Sequence, residues 1–559
     1  KGSLALINRH VVPLNKVYKL QVATCDDALM AGHYREFDID FANAVIVSAD
    51  LVLFDIININ FKDATKHTLP EMARGNYSGC LGKNPVRASL VRDLNMSSGH
   101  DTIHLEFGYE YELEGHVPGI CGIPLFLDTQ NGTFLAGIHS GGAVRTDFAY
   151  SSLLLKDELD AAISDIIAKS PFVPNHSRPD VHPEHFVEEP VRKSPFNYEV
   201  LPNLEYYGKL EGPVLMNKRS SLLRTPFHTE IKSLLDNFGF EQTELFAPPI
   251  MKPFIRKTDG EYISPYNLAL RAMNNTPPTL DYNIISDCID ELCAHIIETL
   301  PSDLTLAPFS IEEAVNGAPD DEFLRRIKVT TSSGFGFSGP KLDHLPIVEE
   351  DVGVLIRELT DEGKVILLDI INRLLSGETM NAVFVACPKD EARDITKVIR
   401  GKTRIFYIIS LGYLIVSRMV LSPFYTLMVE HGDAFGTAVG INAHKDFEKV
   451  YHDFEDFSPN MMEGDYSGYD VSNPVMIARA ANTVIHRLCE HYGYNAQSLQ
   501  VLDGVLTDAT YPLISMNQDL FSKAGMQPSG KYGTAEDNSL RGILLLMYAF
   551  KSSPEYKGE

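Results

Sequence analysis

The chain has 559 residues, well beyond the roughly 100–200 of a typical domain, so it holds more than one domain. Its composition, 44% hydrophobic and 22% charged with 39 Gly and 32 Pro, excludes a disordered, collagenous or coiled-coil chain. A formal net charge of −26 argues against a general nucleic-acid coat protein, which carries a basic footprint, while leaving room for a local basic channel.

Seven cysteines without a CxxC pair exclude a disulfide scaffold and the usual zinc spacing. No uninterrupted run of about 18 apolar residues suggests a membrane span. The richest stretches, Ile405–Met428 and Gly542–Phe550, read as too polar or too short. The chain opens on Lys1 without a signal-peptide pattern and reads as processed or as a fragment.

Residues 1–150 alternate as strands over Val17–Thr24, Phe37–Val47 and Leu51–Ile59, with glycine-containing breaks. Leu153–Ala168 has the spacing of an amphipathic helix. Pro171, Pro174, Pro179, Pro183, Pro190, Pro195 and Pro202 then crowd one stretch. Dense proline blocks helices and central strands, so a linker is predicted at 169–203 between units 1–168 and 204–559. The second unit reads as helix-rich with scattered strands.

The first chemical signal is Gly119-Ile120-Cys121-Gly122-Ile123-Pro124. Glycines permit the tight turn that exposes a nucleophile and aims backbone N–H groups at an oxyanion. Alone, the pattern fits a small core cysteine in a Gly-rich turn better. Three features change the balance: His10 at the end of an apolar strand, Asp50 opening Asp50-Leu51-Val52-Leu53-Phe54, and Gly137-Ile138-His139 after the cysteine. Asp55 is a rival acid, but odd spacing puts it on the other strand face.

The order His, Asp, Cys, Gly-x-His in a β-rich region resembles the chymotrypsin-like cysteine proteases of picorna-like viruses. The resemblance covers residues 1 to about 165 and implies a double β-barrel, N-terminally truncated. It implies Cys121 as nucleophile, His10 as general base and acid, and Asp50 as the group orienting the imidazole. Gly119 and Cys121 would supply oxyanion N–H groups, and His139 would line the pocket for a substrate Gln or Glu. His116 stands where the family often has Thr. No Gln occurs between Gln130 and Gln242, so a junction in the linker would use Glu184, Glu188 or Glu189, or the two parts stay joined.

The second signal is Met461-Met462-Glu463-Gly464-Asp465-Tyr466-Ser467-Gly468-Tyr469-Asp470. It reads as an apolar strand delivering Asp465 to a cleft, then a helix from about Pro474 with Ile477, Ala480, Val484, Ile485 and Leu488 on its apolar face. Upstream, Lys389–Arg404 carries six basic and three acidic residues, a local reversal of the chain's charge. Downstream, Gly525-Met526-Gln527-Pro528-Ser529-Gly530-Lys531-Tyr532-Gly533-Thr534 leads to Asn538 and an apolar helix.

This set, in this order, resembles the fingers and palm motifs of RNA-dependent RNA polymerases of picorna-like viruses. The chain is therefore identified as a picorna-like (order Picornavirales) polyprotein fragment, protease then polymerase, with α+β right-hand fingers and a partial palm at 204–559. The resemblance implies that Lys389, Arg393, Lys397, Lys402 and Arg404 line the nucleotide tunnel. Asp465 would be a catalytic carboxylate and ligand of Mg²⁺ or Mn²⁺. Asp470, Ser529, Thr534 and Asn538 would recognise the ribose 2′-hydroxyl. Thr331–Phe337 resembles a fingers segment near the template. No cofactor is implied for the protease part.

No Asp-Asp pair follows Asp465, so the family's Gly-Asp-Asp hairpin and thumb are expected to be missing and the polymerase part inactive in this form. The implied partners are viral RNA template and primer, NTPs, a viral polyprotein substrate and replication-complex proteins. The implied location is the host cytoplasm, at membrane-associated replication complexes. The competing reading is a catalytically incomplete RNA-binding scaffold.

Overall fold

In the computed structural model the described residues are 1–12, 17–22, 34–98, 101–115, 120–143, 146–179, 201, 203–210, 219–223, 225–239, 245–319, 321–351, 354–461 and 463–556. The chain divides into two compact units, Lys1–Asp180 and Val181–Glu559.

In the first unit the leading strands are β1 (Leu4–Asn8), β2 (Val17–Val22), β3 (Arg35–Asp40), β4 (Val45–Ser48) and β5 (Leu51–Asp55). The order β1-β5-β4 makes an antiparallel three-stranded sheet, and β2 pairs with β3. The strand expected over Phe37–Val47 is two strands. A 3-10 turn at Phe41–Asn43 interrupts it, because Phe41 turns into the core and its ring lies 4.9 Å from that of Phe54.

The next strands are β6 (Asn76–Leu81), β7 (Asn84–Ser98), β8 (Asp101–Glu112), β9 (Pro124–Thr129), β10 (Gly132–Gly142) and β11 (Phe148–Leu153). They close into a barrel in the order β10-β11-β8-β7-β6-β9. Alternate residues point inward, so Leu81, Tyr109, Tyr111, Leu125 and Leu127 are buried together. Among the described residues the expected double barrel is thus one closed barrel, one open three-stranded sheet and the separate β2–β3 pair. Helix α1 (Lys156–Lys169) buries Leu159, Ile163 and Ile166 against Leu51 and Leu53. It begins later than the expected Leu153. That residue ends β11, and the Leu154 N–H is taken by the Ala136 carbonyl at 2.9 Å.

The predicted linker begins later than expected. Phe172, His176, Ser177 and Arg178 are buried, the Ser177 hydroxyl accepts the Gly2 N–H at 3.1 Å, and the Arg178 N–H donates to the Phe61 carbonyl. Proline forbids helix here but not a packed, extended strap. Residues 180–200 and 202 lie outside the described residues.

The second unit is built on a five-stranded sheet. Its order is Glu205–Lys209, Asp519–Ser522, Leu513–Met516, Val383–Pro388, Ile405–Ile408. The helix predicted near Pro474 runs Val475–His491 with Pro474 as its N-cap. Its predicted face, from Ile477 to Leu488, is fully buried. Leu411–Glu430 forms a 20-residue helix long and apolar enough to cross a membrane, contrary to the sequence reading. It is, however, 78% buried along its apolar window, which makes it a core helix of this unit.

Candidate active sites

Strand β1 ends at buried Asn8, and a 3-10 turn at Arg9–Val11 presents His10. The turn between β4 and β5 presents Asp50, fully buried, and its carbonyl accepts the Arg9 N–H at 2.7 Å. Asp50 Oδ1 lies 2.8 Å from His10 Nδ1 and accepts the His10 backbone N–H at 3.1 Å. A carboxylate only accepts, so Nδ1 carries the proton and Nε2 is the basic nitrogen. Asp55 sits opposite Leu4, at the far end of the β1–β5 pairing from Asn8. Cys121 lies in the turn before β9, and its thiol donates to the Ser140 carbonyl at 3.4 Å. Hydrogen bonds to Asp50 first and Cys121 second push the His10 imidazole up to about 9 from 6.5, against the opposing effect of burial. The three expected residues of a triad therefore meet.

The raised value has a sign that can be checked. A histidine whose folded value exceeds its unfolded one stabilises the fold fully below about 6.5 and loses that contribution as pH rises through about 9. The His10 ring resonance, assigned by its loss in His10→Ala, is expected to titrate near 9 and to fall toward 6.5 in Asp50→Asn. A wild-type midpoint near 6.5 would contradict the pairing.

His139 is buried beside this site. Its N–H and carbonyl bond to Ile123 and Gly122, the residues following Cys121. Its Nδ1 meets the Tyr111 hydroxyl at 2.7 Å. The β10–β11 register shifts between His139 and Gly141, a bulge at Ser140 of the kind that re-aims side chains near active sites. His116 and Gly119 lie outside the described residues. Sequence reasoning missed Tyr111, Ser140 and Asn8. Only Asn8 carried a local signal, since Asn is depleted in strands.

In the second unit a cavity of about 900 Å³ is lined by Lys389, Arg404, Asp465, Asp470, Ser529 and Asn538, among others. Lys389 and Arg404 face each other where two strands end, the Lys389 N–H donating to the Arg404 carbonyl at 2.8 Å. The Asp470 carbonyl accepts the Gln527 N–H at 2.8 Å, and the Ser529 carbonyl accepts the Tyr407 N–H at 2.8 Å. These bonds tie the two loops to one wall. Gly530, at φ +116°, is required there: a Cβ would stand 2.4 Å from the Tyr407 carbonyl oxygen. Burial raises the Asp470 carboxyl, with Arg404 opposing it.

Residues 299–555 match the family described as viral RNA-dependent RNA polymerase. The chain is 22% identical over 436 residues to the replicase polyprotein of Drosophila C virus, covering 71% of this chain and 23% of that one. It is 23% identical over 463 residues to the replication polyprotein of Nora virus, covering 77% and 20%. It is also similar to a solved Sicinivirus 3Dpol RNA-dependent RNA polymerase, with a TM-score of 0.51 and 17% identity over 63% of this chain and 68% of that one. The chain carries a picorna-like polymerase region. It spans about a fifth of these two polyproteins. The Sicinivirus likeness shows a right-hand polymerase fold.

Within the polymerase region the other expected residues are placed differently. Asp465 does not follow a strand. The helix Phe447–Phe457 is followed by irregular backbone in which Asp465 is exposed, because no described strand pairs with this segment and a strand needs a hydrogen-bonded neighbour. Arg393 lies on a short strand paired with Phe246–Ala247, Lys397 on the helix Ile395–Ile399, and Lys402 in an exposed turn. These three do not line the cavity, since a strand, a helix and a turn point successive side chains in different directions. The Thr534 hydroxyl is turned back to the Lys531 carbonyl at 2.8 Å, away from the cavity lining. Thr331–Phe337 forms a loop packed on the start of the buried helix. There Gly334, at φ +80°, leaves 2.3 Å between an added Cβ and the Ile409 carbonyl oxygen.

Glu391 was not foreseen. It pairs with Lys389 at 2.8 Å, Arg404 at 3.4 Å and Arg393 at 3.5 Å. The Lys389 bond foremost holds its carboxyl below the usual range. The cavity's carboxylates fit the expected Mg²⁺ or Mn²⁺. Mg²⁺ takes one or two carboxylates from a protein and completes its octahedron with waters and substrate phosphates, so Asp465 and Asp470 would hold the ion together with a bound nucleotide.

Proposed function

We propose that the first unit is a cysteine endopeptidase that cleaves after Gln or Glu, and that the second belongs to a template-directed enzyme copying viral RNA. The meeting of His10, Asp50 and Cys121 carries the first half. The Cys121 thiol gives its proton to His10 Nε2, and the sulfur attacks the scissile carbonyl. The tetrahedral adduct collapses to a thioester as His10 returns the proton to the leaving amine. Water, deprotonated by His10, then releases the acid. Asp50 holds the ring and stabilises its charged form. With the Tyr111 hydroxyl donating to Nδ1, a neutral His139 carries its proton on Nε2, a donor for a Gln or Glu side chain. The likenesses to the Drosophila C virus and Nora virus polyproteins, which cover more of the chain than the second unit occupies, support a viral polyprotein context for both units.

For the polymerase region the proposal is a nucleoside triphosphate site. Lys389 and Arg404 would meet the phosphates, and Asp470, Ser529 and Asn538 the ribose. Asn538 Oδ1 is buried without a hydrogen-bond partner among the described residues, an acceptor waiting for a donor such as a 2′-hydroxyl. Asn538→Ala is expected to reduce the preference for ribo- over deoxyribonucleoside triphosphate binding about tenfold, one hydrogen bond to a polar partner. Equal preference in both forms would remove Asn538 from the site. Asp465 keeps its proposed catalytic place at the cavity wall. Host-cell replication complexes are the proposed location.

The exposure of Asp465 favours a second reading, an RNA-binding scaffold. A peptide with Gln or Glu before a small residue separates the two. Cleavage lost in Cys121→Ala supports the protease, and RNA binding without cleavage supports the scaffold.

A further inference from the structure

Asn8 is fully buried in strand β1, two residues before His10. Its Nδ2 donates to Asp50 Oδ2 at 3.0 Å and to Ser140 Oγ at 2.9 Å. The orientation is dictated by charge: a flipped amide would set its oxygen against a carboxylate that can only accept. In this orientation Asn8 Oδ1 has no partner among the described residues. An unpaired buried acceptor costs stability, so an asparagine chosen for stability alone would be a poor choice here. Both of its N–H groups, in contrast, are used, and each goes to the catalytic neighbourhood.

Ser140 is the bulged residue of β10. Its hydroxyl meets the Ser152 hydroxyl at 2.7 Å, which fixes it from the barrel side. Its carbonyl accepts the Cys121 thiol. One planar amide thus bridges the sheet that carries the acid and the strand that touches the nucleophile.

We infer that Asn8 is a positioning residue that holds Asp50 with Oδ1 toward His10 and locks the acid to the Ser140 bulge beneath Cys121. This rests on the reading of His10, Asp50 and Cys121 as a protease triad. With Oδ2 occupied, Asp50 cannot rotate away from the imidazole, so the imidazole stays aimed at the thiol. Loss of the tie would loosen that aim without touching the substrate.

The test uses the whole chain and two readouts. One is peptide cleavage across pH. The other is the rate of alkylation of Cys121 by iodoacetamide at neutral pH, followed by mass spectrometry of the Cys121 peptide, which needs no turnover. In Asn8→Leu, kcat is expected to fall by about tenfold to a hundredfold at unchanged KM, the scale of a misplaced catalytic group. The alkylation rate should fall as the thiol loses its aimed imidazole base. Ser140→Ala keeps the Asn8–Asp50 bond and should shift both readouts in the same direction by less. Wild-type kinetics and a wild-type alkylation rate in Asn8→Leu would overturn the inference. If Asn8→Leu fails to fold, Ser140→Ala decides, and wild-type behaviour there overturns it. Failure of the triad reading is seen separately: His10→Ala would then leave Cys121 alkylation unchanged.

Discussion

Cys121→Ala is expected to abolish cleavage of a Gln- or Glu-containing peptide by the whole chain, with the circular dichroism spectrum unchanged. The side chain is small, half-buried and in a turn, so its loss leaves no large cavity. Asp50→Asn should be almost as damaging, on the order of 10⁴-fold in kcat, because the amide stabilises the wrong imidazole tautomer. The Nδ1–H now donating to Asp50 at 2.8 Å would lose its charged acceptor. Residual activity near wild type in Asp50→Asn would show that His10 is held by something else. The backbone bond from His10 N–H to the same Oδ1 survives with an amide oxygen, so the turn should keep its shape.

The second large effect concerns stability. Asp537 Oδ2 receives Lys531 Nζ at 2.5 Å and Gln527 Nε2 at 2.7 Å, and it lies 3.0 Å from Arg541 Nη2. All four residues are buried. Arg541 Nη1 also donates to the Gly525 carbonyl at 3.0 Å. One carboxylate thus holds the loop that carries Ser529 from below. Burial alone would raise the Asp537 carboxyl. The Arg541 and Lys531 charges and the Gln527 bond outweigh it and hold the carboxyl well below the usual range. Burial lowers the Lys531 amine. Asp537→Ala leaves two buried cations facing one another. A loss of about 3–5 kcal/mol is expected for the second unit, the usual cost of breaking a buried pair from one side. Urea unfolding of the whole chain, read by pulse proteolysis of second-unit peptides, measures it. A change below about 1 kcal/mol would mean that the interior relaxes and admits water. The depressed value also sets the pH dependence. This stabilisation is full above the ordinary value of 3.8 and is lost as pH falls below it.

The members of the proposed triad could be singled out because each sat on a local signal. His10 ended an apolar strand, Asp50 opened one, and Cys121 stood between glycines. Such patterns report local geometry, and local geometry held. The barrel and the helix Val475–His491 followed from periodicity for the same reason: a period of 2 or 3.6 encodes which face is buried. Prediction faltered where a neighbour decides. Asp465 was assigned to a strand on apolar content, but a strand exists only with a partner. The basic run Lys389–Arg404 was read as one wall, yet only its two ends reach the cavity. Its middle folds as a short strand, a helix and a turn. The membrane-length helix Leu411–Glu430 was discounted from polarity along the line of the chain, when what sets its place is the core around it.

From the sequence alone one could name the chemistry-bearing residues, their order along the chain and a division within the proline-rich stretch. The tertiary structure decided which of them meet. Asn8 and Ser140, 132 residues apart, come together through strand pairing and one bulge. Neither pairing register nor a bulge leaves a mark on the local pattern, because both are properties of two strands and not of one. The buried Lys531–Asp537–Arg541 cluster was invisible for a related reason. Charged residues four and six apart look like a solvated helix face until the neighbouring elements close over them.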